Sequence, residues 1–329
     1  LKLHQAPSTT IIMLSLSDAN FRYMGFCGVD DSVSPQFLHL LSAAYPWIEW
    51  GMLFRSDLEG QPRYPTWEWT LSMAKPNTNG TMKLNLAGHL CANRCQEVLN
   101  GDFTFVDTLS MIGIQRIQIN ATAANAVSVD ETRFPEYVEN MLKCAHSYPN
   151  MEWILQYNDE TKKIWDPLLE SLSDTSPRNI VLLFDASCGT GIRMTEFPSP
   201  YLYKYITSSG YAGGIGPNCI DEILQCVITT TTNNKPTITT IAEKDIAESS
   251  GTVTTDTIDK SSSVDVSIPA AVTASSAHRG VWIDMESSLR TLIVTDKTTG
   301  TTRDVFAVDK CFDCISAGLR YGLQSKVQL

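Results

Sequence analysis

Short apolar segments rich in β-branched residues recur along the chain, and each closes on or just before a glycine or a reactive side chain. Apolar runs of this length, bounded by polar turns, are typical of strands that are buried on both faces. The segments are Arg22–Cys27, Trp47–Phe54, Lys83–His89, Ile114–Asn120, Glu152–Gln156, Ile180–Asp185, Tyr211–Gly214 and Val281–Asp284. The pattern therefore predicts eight buried strands.

Stretches with apolar residues at helical spacing lie between these strands. The predicted helices are Pro35–Ala44, Arg94–Leu99, Pro135–His146, Pro167–Ser173, Tyr201–Ser208 and Ile220–Val227. Strand and helix alternating every 25 to 40 residues or so is typical of parallel βα units. Residues 27–31 read CGVDD, which is not the G-x-G-x-x-G turn that an open dinucleotide-binding sheet shows after its first strand. The sequence therefore predicts an α/β fold, a closed (β/α)₈ TIM barrel.

One polar segment interrupts the alternation before the eighth strand. Thr229–Ala277 holds 12 Thr and 8 Ser in 49 positions and no aromatic residue. Such a composition buries little apolar surface, so we expect a surface insertion within a single domain that spans residues 1–329.

The residues at the predicted strand ends are rich in acid–base and hydrogen-bonding groups. In a (β/α)₈ barrel the carboxyl ends of all strands meet at one face, and active sites form there. The residues at these ends are Cys27, Arg55, His89, Asn120, Gln156, Asp185, Gly213 and Asp284. We therefore expect any site to lie at this face.

Composition and charge limit the class of partner. Hydrophobic residues make up 43% and charged residues 19%, which is typical of a folded globular protein. The net charge of −11 argues against nucleic acid and anionic membranes as partners, although local backbone dipoles still allow a small anionic ligand. We see neither an apolar run long enough to span a bilayer nor a secretory leader pattern at the start. The sequence leaves the oligomeric state open.

Nine cysteines are scattered at irregular spacing. An odd, dispersed set is unlike a secreted disulfide framework, so we expect a reducing compartment and a cytoplasmic location. Cys311 and Cys314 have the spacing of a redox or zinc pair, but no second pair accompanies them and they open a helix-like stretch. We interpret that pair as structural.

Five short motifs resemble those of phosphoribosylanthranilate isomerases, in the order found in that family. Residues 26–29 (FCGV) resemble its K-x-C-G start, and Pro62-Arg63-Tyr64 its S-P-R-x turn. Residues 182–191 are similar to its L-L-D-S…G-G-T-G segment, residues 212–218 (AGGIGPN) to its A-G-G-L-x-P-x-N, and residues 283–288 (IDMESS) to its V-D-x-S-S-G. Together they cover Cys27 to Arg290, and the resemblance implies the same barrel.

The resemblance also implies an activity and roles for particular residues. The family carries out an Amadori rearrangement, which needs a base for a carbon-bound proton and an acid at the ring oxygen. By resemblance, Cys27 is the base, Asp185 the acid and Arg63 the residue that meets a substrate carboxylate, with no cofactor and no metal. As a base, Cys27 needs a positive neighbour or a helix dipole that lowers its pKa. As an acid, Asp185 needs an environment that raises its pKa.

The chain departs from the family pattern at several positions. Gly25 stands where the family has lysine, Leu289 replaces the final glycine of its S-S-G turn, and residues 118–121 (QINA) lack the histidine of its Q-L-H-G motif. Residues 49–55 and 89–91 instead resemble an uncharacterised group of isomerase-like barrels. These departures keep open a different class, namely a diverged or non-catalytic barrel that binds a small anionic ligand or a protein partner.

Further residues are candidates for binding a phosphorylated or carboxylated metabolite. Arg55, like Arg63, offers a planar fork to a carboxylate or phosphate, unless it forms an ion pair with Asp57 or Glu59. His89 and Asn120 offer hydrogen bonds at strand ends. The glycines Gly213 and Gly214, with Ser287 and Ser288 before an expected helix, predict an anion site between the last two loops.

A metal site is the least favoured interpretation of these side chains. His89 and Cys91 would share one face of a continuing strand and could bind zinc if Cys95 or His146 joined them. A metal-assisted lyase or hydrolase built on His89, Cys91, Asp185 and Glu286 is a further alternative.

Overall fold

A computed structural model describes residues 15–74, 84–188, 190–234, 280–296 and 299–326. Eight parallel strands form a closed barrel in which each strand pairs with the next and the last pairs with the first. They are β1 (Phe21–Cys27), β2 (Ile48–Phe54), β3 (Asn85–Leu90), β4 (Arg116–Ile119), β5 (Glu152–Tyr157), β6 (Ile180–Asp185), β7 (Ser208–Ala212) and β8 (Gly280–Met285). The predicted (β/α)₈ barrel is confirmed.

The helices pack around the outside of the barrel. They are α1 (Pro35–Ala44), α2 (Trp67–Ala74), α3 (Ala92–Leu99), α4 (Thr104–Met111), α5 (Phe134–Ser147), α6 (Lys162–Ser171), α7 (Ile220–Asn233) and α8 (Val308–Arg320). In α1, Pro35 occupies the first turn, where its missing N–H costs nothing, and Leu38 and Leu41 are buried against the sheet. The sequence pattern predicts α1 at these bounds and does not predict α2 or α4.

The predicted helix Tyr201–Ser208 is wrong. The chain turns through residues 201–207, and Ser208 begins β7. Leu202 and Ile206, four residues apart, would share one face of a helix, but Leu202 is 57% exposed and Ile206 is buried. Their apolar character therefore does not reflect a buried helical face.

After β8 the chain forms a hairpin before it reaches the last helix. The hairpin strands are β9 (Arg290–Asp296) and β10 (Thr301–Phe306), which pair antiparallel. Ser287 and Ser288 thus lie in a single 3₁₀ turn that leads into β9. The expected helix N-terminus directly after these serines is absent from the described residues.

The start of the predicted insertion Thr229–Ala277 overlaps the end of α7. Helix α7 continues to Asn233, and Thr231 is buried in it, so the first residues of the predicted insertion Thr229–Ala277 belong to the helix. Residues 235–279 lie outside the described residues. None of the helices in the described ranges is long and apolar enough to cross a membrane.

The barrel interior is apolar at mid-height and ionic at its lower end, where the strands begin. Inward-facing Ile154, Val181, Leu183, Ala212 and Trp282 form a small buried cluster, as expected for a packed barrel core. Below them, Arg116 binds Glu49 at 2.5 Å and Glu152 at 3.1 Å, with all three side chains at most 8% exposed. Arg22 binds Glu152 from the other side at 3.1 Å.

Candidate functional site

A polar cavity of about 420 Å³ opens at the carboxyl ends of the strands. This volume is within the range of sites for small metabolites. Of the eight strand-end residues expected at this face, seven line the cavity, namely Cys27, His89, Asn120, Gln156, Asp185, Gly213 and Asp284. The barrel register therefore brings together side chains from strands that are distant in sequence.

Cys27 and His89 are in contact within the cavity wall. The Cys27 Sγ lies 3.7 Å from the His89 Nε2, and both residues are buried. The two side chains come from β1 and β3, and they meet over β2 because the inward position between them is Gly51. A Cβ at Gly51 would lie 2.6 Å from the Cys27 Sγ and 2.8 Å from the His89 Nε2. Glycine is therefore required for this contact.

The surroundings of Cys27 differ from what a catalytic thiolate needs. Burial raises the pKa of Cys27 well above its ordinary value, and the nearby carboxylates, Asp284 above all, raise it further. Burial also lowers the pKa of His89 to about 3, with the Arg116 guanidinium acting in the same direction, so the imidazole is neutral. Among the described residues, no positive side chain acts on the thiol to lower its pKa.

Asp284 is the third group at this wall. It is 6% exposed, and neither carboxylate oxygen has a hydrogen-bond partner among the described residues. Burial raises the pKa of Asp284 to about 7, and repulsion from Glu49 adds to the rise. The Asp284 Oδ1 would lie 2.0 Å from a Cβ at Gly25, so no larger residue fits there beside it. Glycine at position 25 is therefore required by the position of Asp284.

Asp185 is held by hydrogen-bond donors on the facing side of the cavity. The Gln156 Nε2 donates to it at 2.6 Å, and Ser187 donates through its backbone N–H at 3.0 Å and its hydroxyl at 2.5 Å. These donors fix the orientation of the carboxylate toward the loops that follow β6 and β7. A Cβ at Gly213 would lie 3.1 Å from the Asp185 Oδ1, so the β7 loop passes close to this carboxylate.

The loops after β6, β7 and β8 pack tightly against one another. Gly213 and Gly214 have φ angles of 106° and 59°, a region that favours glycine. The Ser288 hydroxyl donates to the Ile215 carbonyl, and Gly216 makes room for it, since a Cβ there would lie 2.4 Å from the Ser288 Oγ. Ser287 remains exposed beside them. Gly213, Gly214, Ser287 and Ser288 thus share one rim of the cavity, as the sequence predicts.

The two candidate arginines have different positions. Arg63 lines the cavity, and its guanidinium lies 3.2 Å from Glu286 and 3.6 Å from Asp304. Its backbone N–H donates to the buried Asp30 at 2.7 Å. Arg55 lies outside the cavity lining and forms a two-pronged pair with Asp57, so the structure favours the surface ion pair that the sequence left open.

The zinc sets suggested by the sequence are not assembled. β3 ends at Leu90, and the Cys91 Sγ donates to Asn125 and accepts from Asn120, away from the His89 ring nitrogen that meets Cys27. His146 is exposed on α5, where its ring contacts the Leu142 carbonyl. Cys311 and Cys314 are free thiols buried in α8.

Three features of the cavity were not predicted from the sequence. They are the contact between Cys27 and His89, the unpartnered Asp284 carboxylate and the pairing of Arg63 with Glu286. Cys27 and His89 come together because β2 lies between β1 and β3 in the barrel. This contact could have been predicted from the sequence only by assuming the barrel and its strand order.

A scan against protein-family models and a search of curated proteins found no match to this chain. The function must therefore be inferred from the barrel topology and the geometry of the cavity. The chain is a (β/α)₈ barrel with a polar cavity at the carboxyl ends of its strands.

Proposed function

We propose that this barrel is an isomerase similar to phosphoribosylanthranilate isomerase, which moves a proton on a small phosphorylated sugar derivative. The observation that carries the proposal is that Cys27 and Asp185 line one cavity, together with the glycine and serine loops expected to hold an anion. The fold supports this because barrel enzymes carry their chemistry at the carboxyl ends of the strands.

The proposed reaction assigns one proton transfer to each side of the cavity. Asp185 gives a proton to the ring oxygen of a ribosylamine as the ring opens to an iminium ion. Cys27, as thiolate, takes the proton from carbon 2, which leaves an enamine that tautomerises to the ketose. The strands that carry the two residues, β1 and β6, lie far apart around the barrel, so a sugar placed between them presents a different atom to each.

The substrate class follows from the rim of the cavity. Backbone N–H groups of glycine-rich loops approach an anion closely, and barrels frequently hold a phosphate between the loops after their last two strands. Gly213, Gly214, Ser287 and Ser288 lie in those loops. The Arg63 guanidinium lies 3.2 Å from Glu286. It can bind a carboxylate on the same ligand if that carboxylate displaces Glu286.

An isotope experiment tests the reaction. The purified protein is incubated in D₂O with a panel of ribosylamine 5-phosphates, phosphoribosylanthranilate among them, and the products are followed by NMR. We expect a ketose that carries solvent deuterium at carbon 1, because the tautomerisation protonates that carbon. If the protein binds members of the panel and forms no ketose from any of them, the isomerase proposal is wrong.

Anion binding is expected as a gain in thermal stability. A ligand present at 100 times its Kd adds about 2.7 kcal/mol to the stability of the folded state. We therefore expect millimolar phosphate to raise the melting temperature by several degrees relative to chloride at equal ionic strength. Ser287→Asp places a negative charge on the rim and should abolish the rise, whereas Ser110→Asp, on the exposed end of α4, should retain it. Equal melting temperatures in phosphate and chloride would show that the rim does not bind phosphate.

A second candidate function has its own supporting observation. The carboxylates around Cys27 raise the pKa of the thiol, and Arg63 is already paired with Glu286 and Asp304. Both facts count against catalysis by Cys27 with help from Arg63, so a diverged barrel that binds a small anionic ligand at its rim loops without turnover is the second candidate. Binding without product in the NMR experiment is the result expected for this class.

A further inference from the structure

Three side chains with metal-binding atoms converge at the base of the cavity. The Cys27 Sγ, a ring nitrogen of His89 and a carboxylate oxygen of Asp284 all lie within 4.8 Å of one another, and all three residues are buried. They come from β1, β3 and β8, and no other such group occurs among the residues described by the structure. The barrel frame fixes their backbones, so little ordering is needed for a shared ligand.

The distance between the sulfur and the nitrogen fits a metal ion. A tetrahedral zinc ion with ordinary bond lengths holds a thiolate sulfur and an imidazole nitrogen about 3.6 Å apart. The Cys27 Sγ lies 3.7 Å from the His89 Nε2. Gly51 keeps the space between these two atoms clear, because a Cβ there would touch both.

The Asp284 carboxylate supplies the independent observation. It is 6% exposed, it faces the cavity, and neither oxygen has a hydrogen-bond partner in the described parts of the chain. A buried polar group without a partner is rare and calls for a ligand, an ion or a water molecule. The nearby Trp282 indole N–H partly offsets the rise in the pKa of Asp284, but it forms no hydrogen bond of ordinary geometry with either oxygen. The carboxylate can therefore turn toward an ion held by Cys27 and His89.

The charge of Asp284 favours a cation. Glu49 is paired with Arg116 and Glu286 with Arg63, and Arg116 only partly offsets the effect of burial on Asp284. Asp284 itself takes part in no ion pair among those of the described residues, and a buried carboxylate is costly unless a positive charge accompanies it. A divalent ion bound by one thiolate, one carboxylate and one neutral imidazole forms a site with no net charge.

We propose that Cys27, His89 and Asp284 bind one Zn²⁺ ion whose fourth position faces the cavity. Sulfur, nitrogen and oxygen ligands suit zinc, and three protein ligands with one open position are typical of zinc sites that act on a bound molecule. Binding releases the thiol proton, and the carboxyl proton where one is present, to solvent. The proposal does not rest on the isomerisation, and zinc bound here inhibits that reaction because Cys27 is then a ligand and not a free base.

Cobalt provides the test because its spectrum reports the ligands directly. The full chain is treated with a chelator and titrated with Co²⁺. We expect one equivalent to bind, with the visible bands of tetrahedral cobalt and a near-ultraviolet band from the thiolate, all lost when Zn²⁺ is added. Cys27→Ser should remove the near-ultraviolet band. Asp284→Asn should weaken zinc binding at least ~100-fold, since loss of a supporting outer partner alone costs 10- to 100-fold.

Two cysteine controls separate this site from other thiols. Cys91→Ser alters a buried cysteine near the same face, and Cys311→Ser breaks the pair in α8; both should keep the full spectrum. Melting temperatures without metal show that each variant is folded. The absence of a thiolate band in the wild type, or its survival in folded Cys27→Ser, overturns the site. If the protein forms ketose but does not bind cobalt, the metal site is wrong and the isomerase proposal stands. If it binds cobalt but forms no ketose, the isomerase proposal is wrong and the metal site stands.

Discussion

Replacement of Arg116 by methionine is expected to lower the free energy of unfolding by about 3–5 kcal/mol, the usual cost of removing one partner from a buried ion pair. The Arg116 side chain is 5% exposed and lies between Glu49 and Glu152, which are also buried. Without the guanidinium, Glu49 has no cation among the ion pairs of the described residues, while Glu152 keeps Arg22. Urea unfolding followed by tryptophan fluorescence measures the change.

Two further variants show that the loss comes from the uncompensated charge. Arg133→Met removes an exposed guanidinium that pairs with Glu136 on α5, and it should leave the unfolding midpoint unchanged. Adding Glu49→Gln to Arg116→Met should recover part of the lost stability, because a buried amide costs less than a buried carboxylate. If Arg116→Met unfolds at the same urea concentration as the wild type, the ionic end of the barrel contributes no stability.

Cys27→Ser and Asp185→Asn are each expected to reduce turnover at least ~10²-fold, the usual contribution of a general acid or base. Serine keeps the size and hydrogen bonding of Cys27 but does not ionise near neutral pH, and asparagine keeps the shape of Asp185 but has no proton to give. The rates of ketose formation in D₂O measure both effects. The phosphate-dependent rise in melting temperature should survive both changes, because the loops at the rim are unaltered.

Matched variants elsewhere on the molecule control for handling and stability. Cys226→Ser alters a half-buried cysteine on α7, and Asp313→Asn alters an exposed carboxylate on α8. Both should leave the rate of ketose formation unchanged. A folded Cys27→Ser that turns over at the wild-type rate would show that the thiol is not the base.

The sequence predicts the barrel well because its strands are buried on both faces. Ile180–Asp185 is a continuous apolar run that ends in a carboxylate, and the structure places β6 at those residues. Length does not explain the missed helices, because α3 also has eight residues and was predicted. In α2, Trp67, Trp69, Leu71 and Met73 alternate with other residues, and this period of two is typical of a strand. The turn through residues 201–207 was misread because Leu202 and Ile206 have helical spacing in the sequence, although only Ile206 is buried.

The site was predictable as a set of residues and not as a set of contacts. Parallel strands bring their ends together, so Cys27, His89 and Asp185 could be expected in one cavity. The distance from Cys27 to His89 depends on an empty inward position at Gly51, which lies on the strand between theirs and is far from His89 in the sequence. Arg55 does not line the cavity because its guanidinium pairs with Asp57, two residues further along the chain.

The backbone of Arg63 is strained where it holds the guanidinium at the cavity wall. Its φ angle of 77° is left-handed, a conformation that costs a residue with a side chain roughly 1–2 kcal/mol relative to the right-handed region. The hydrogen bond from its N–H to Asp30, itself paired with Arg290 at 2.8 Å, offsets this strain. Glycine at this position would relieve the strain but would also remove the ion pairs with Glu286 and Asp304. Strained residues are often found where a protein binds its ligand, so we expect this strain to be tolerated for the sake of a guanidinium at the cavity wall.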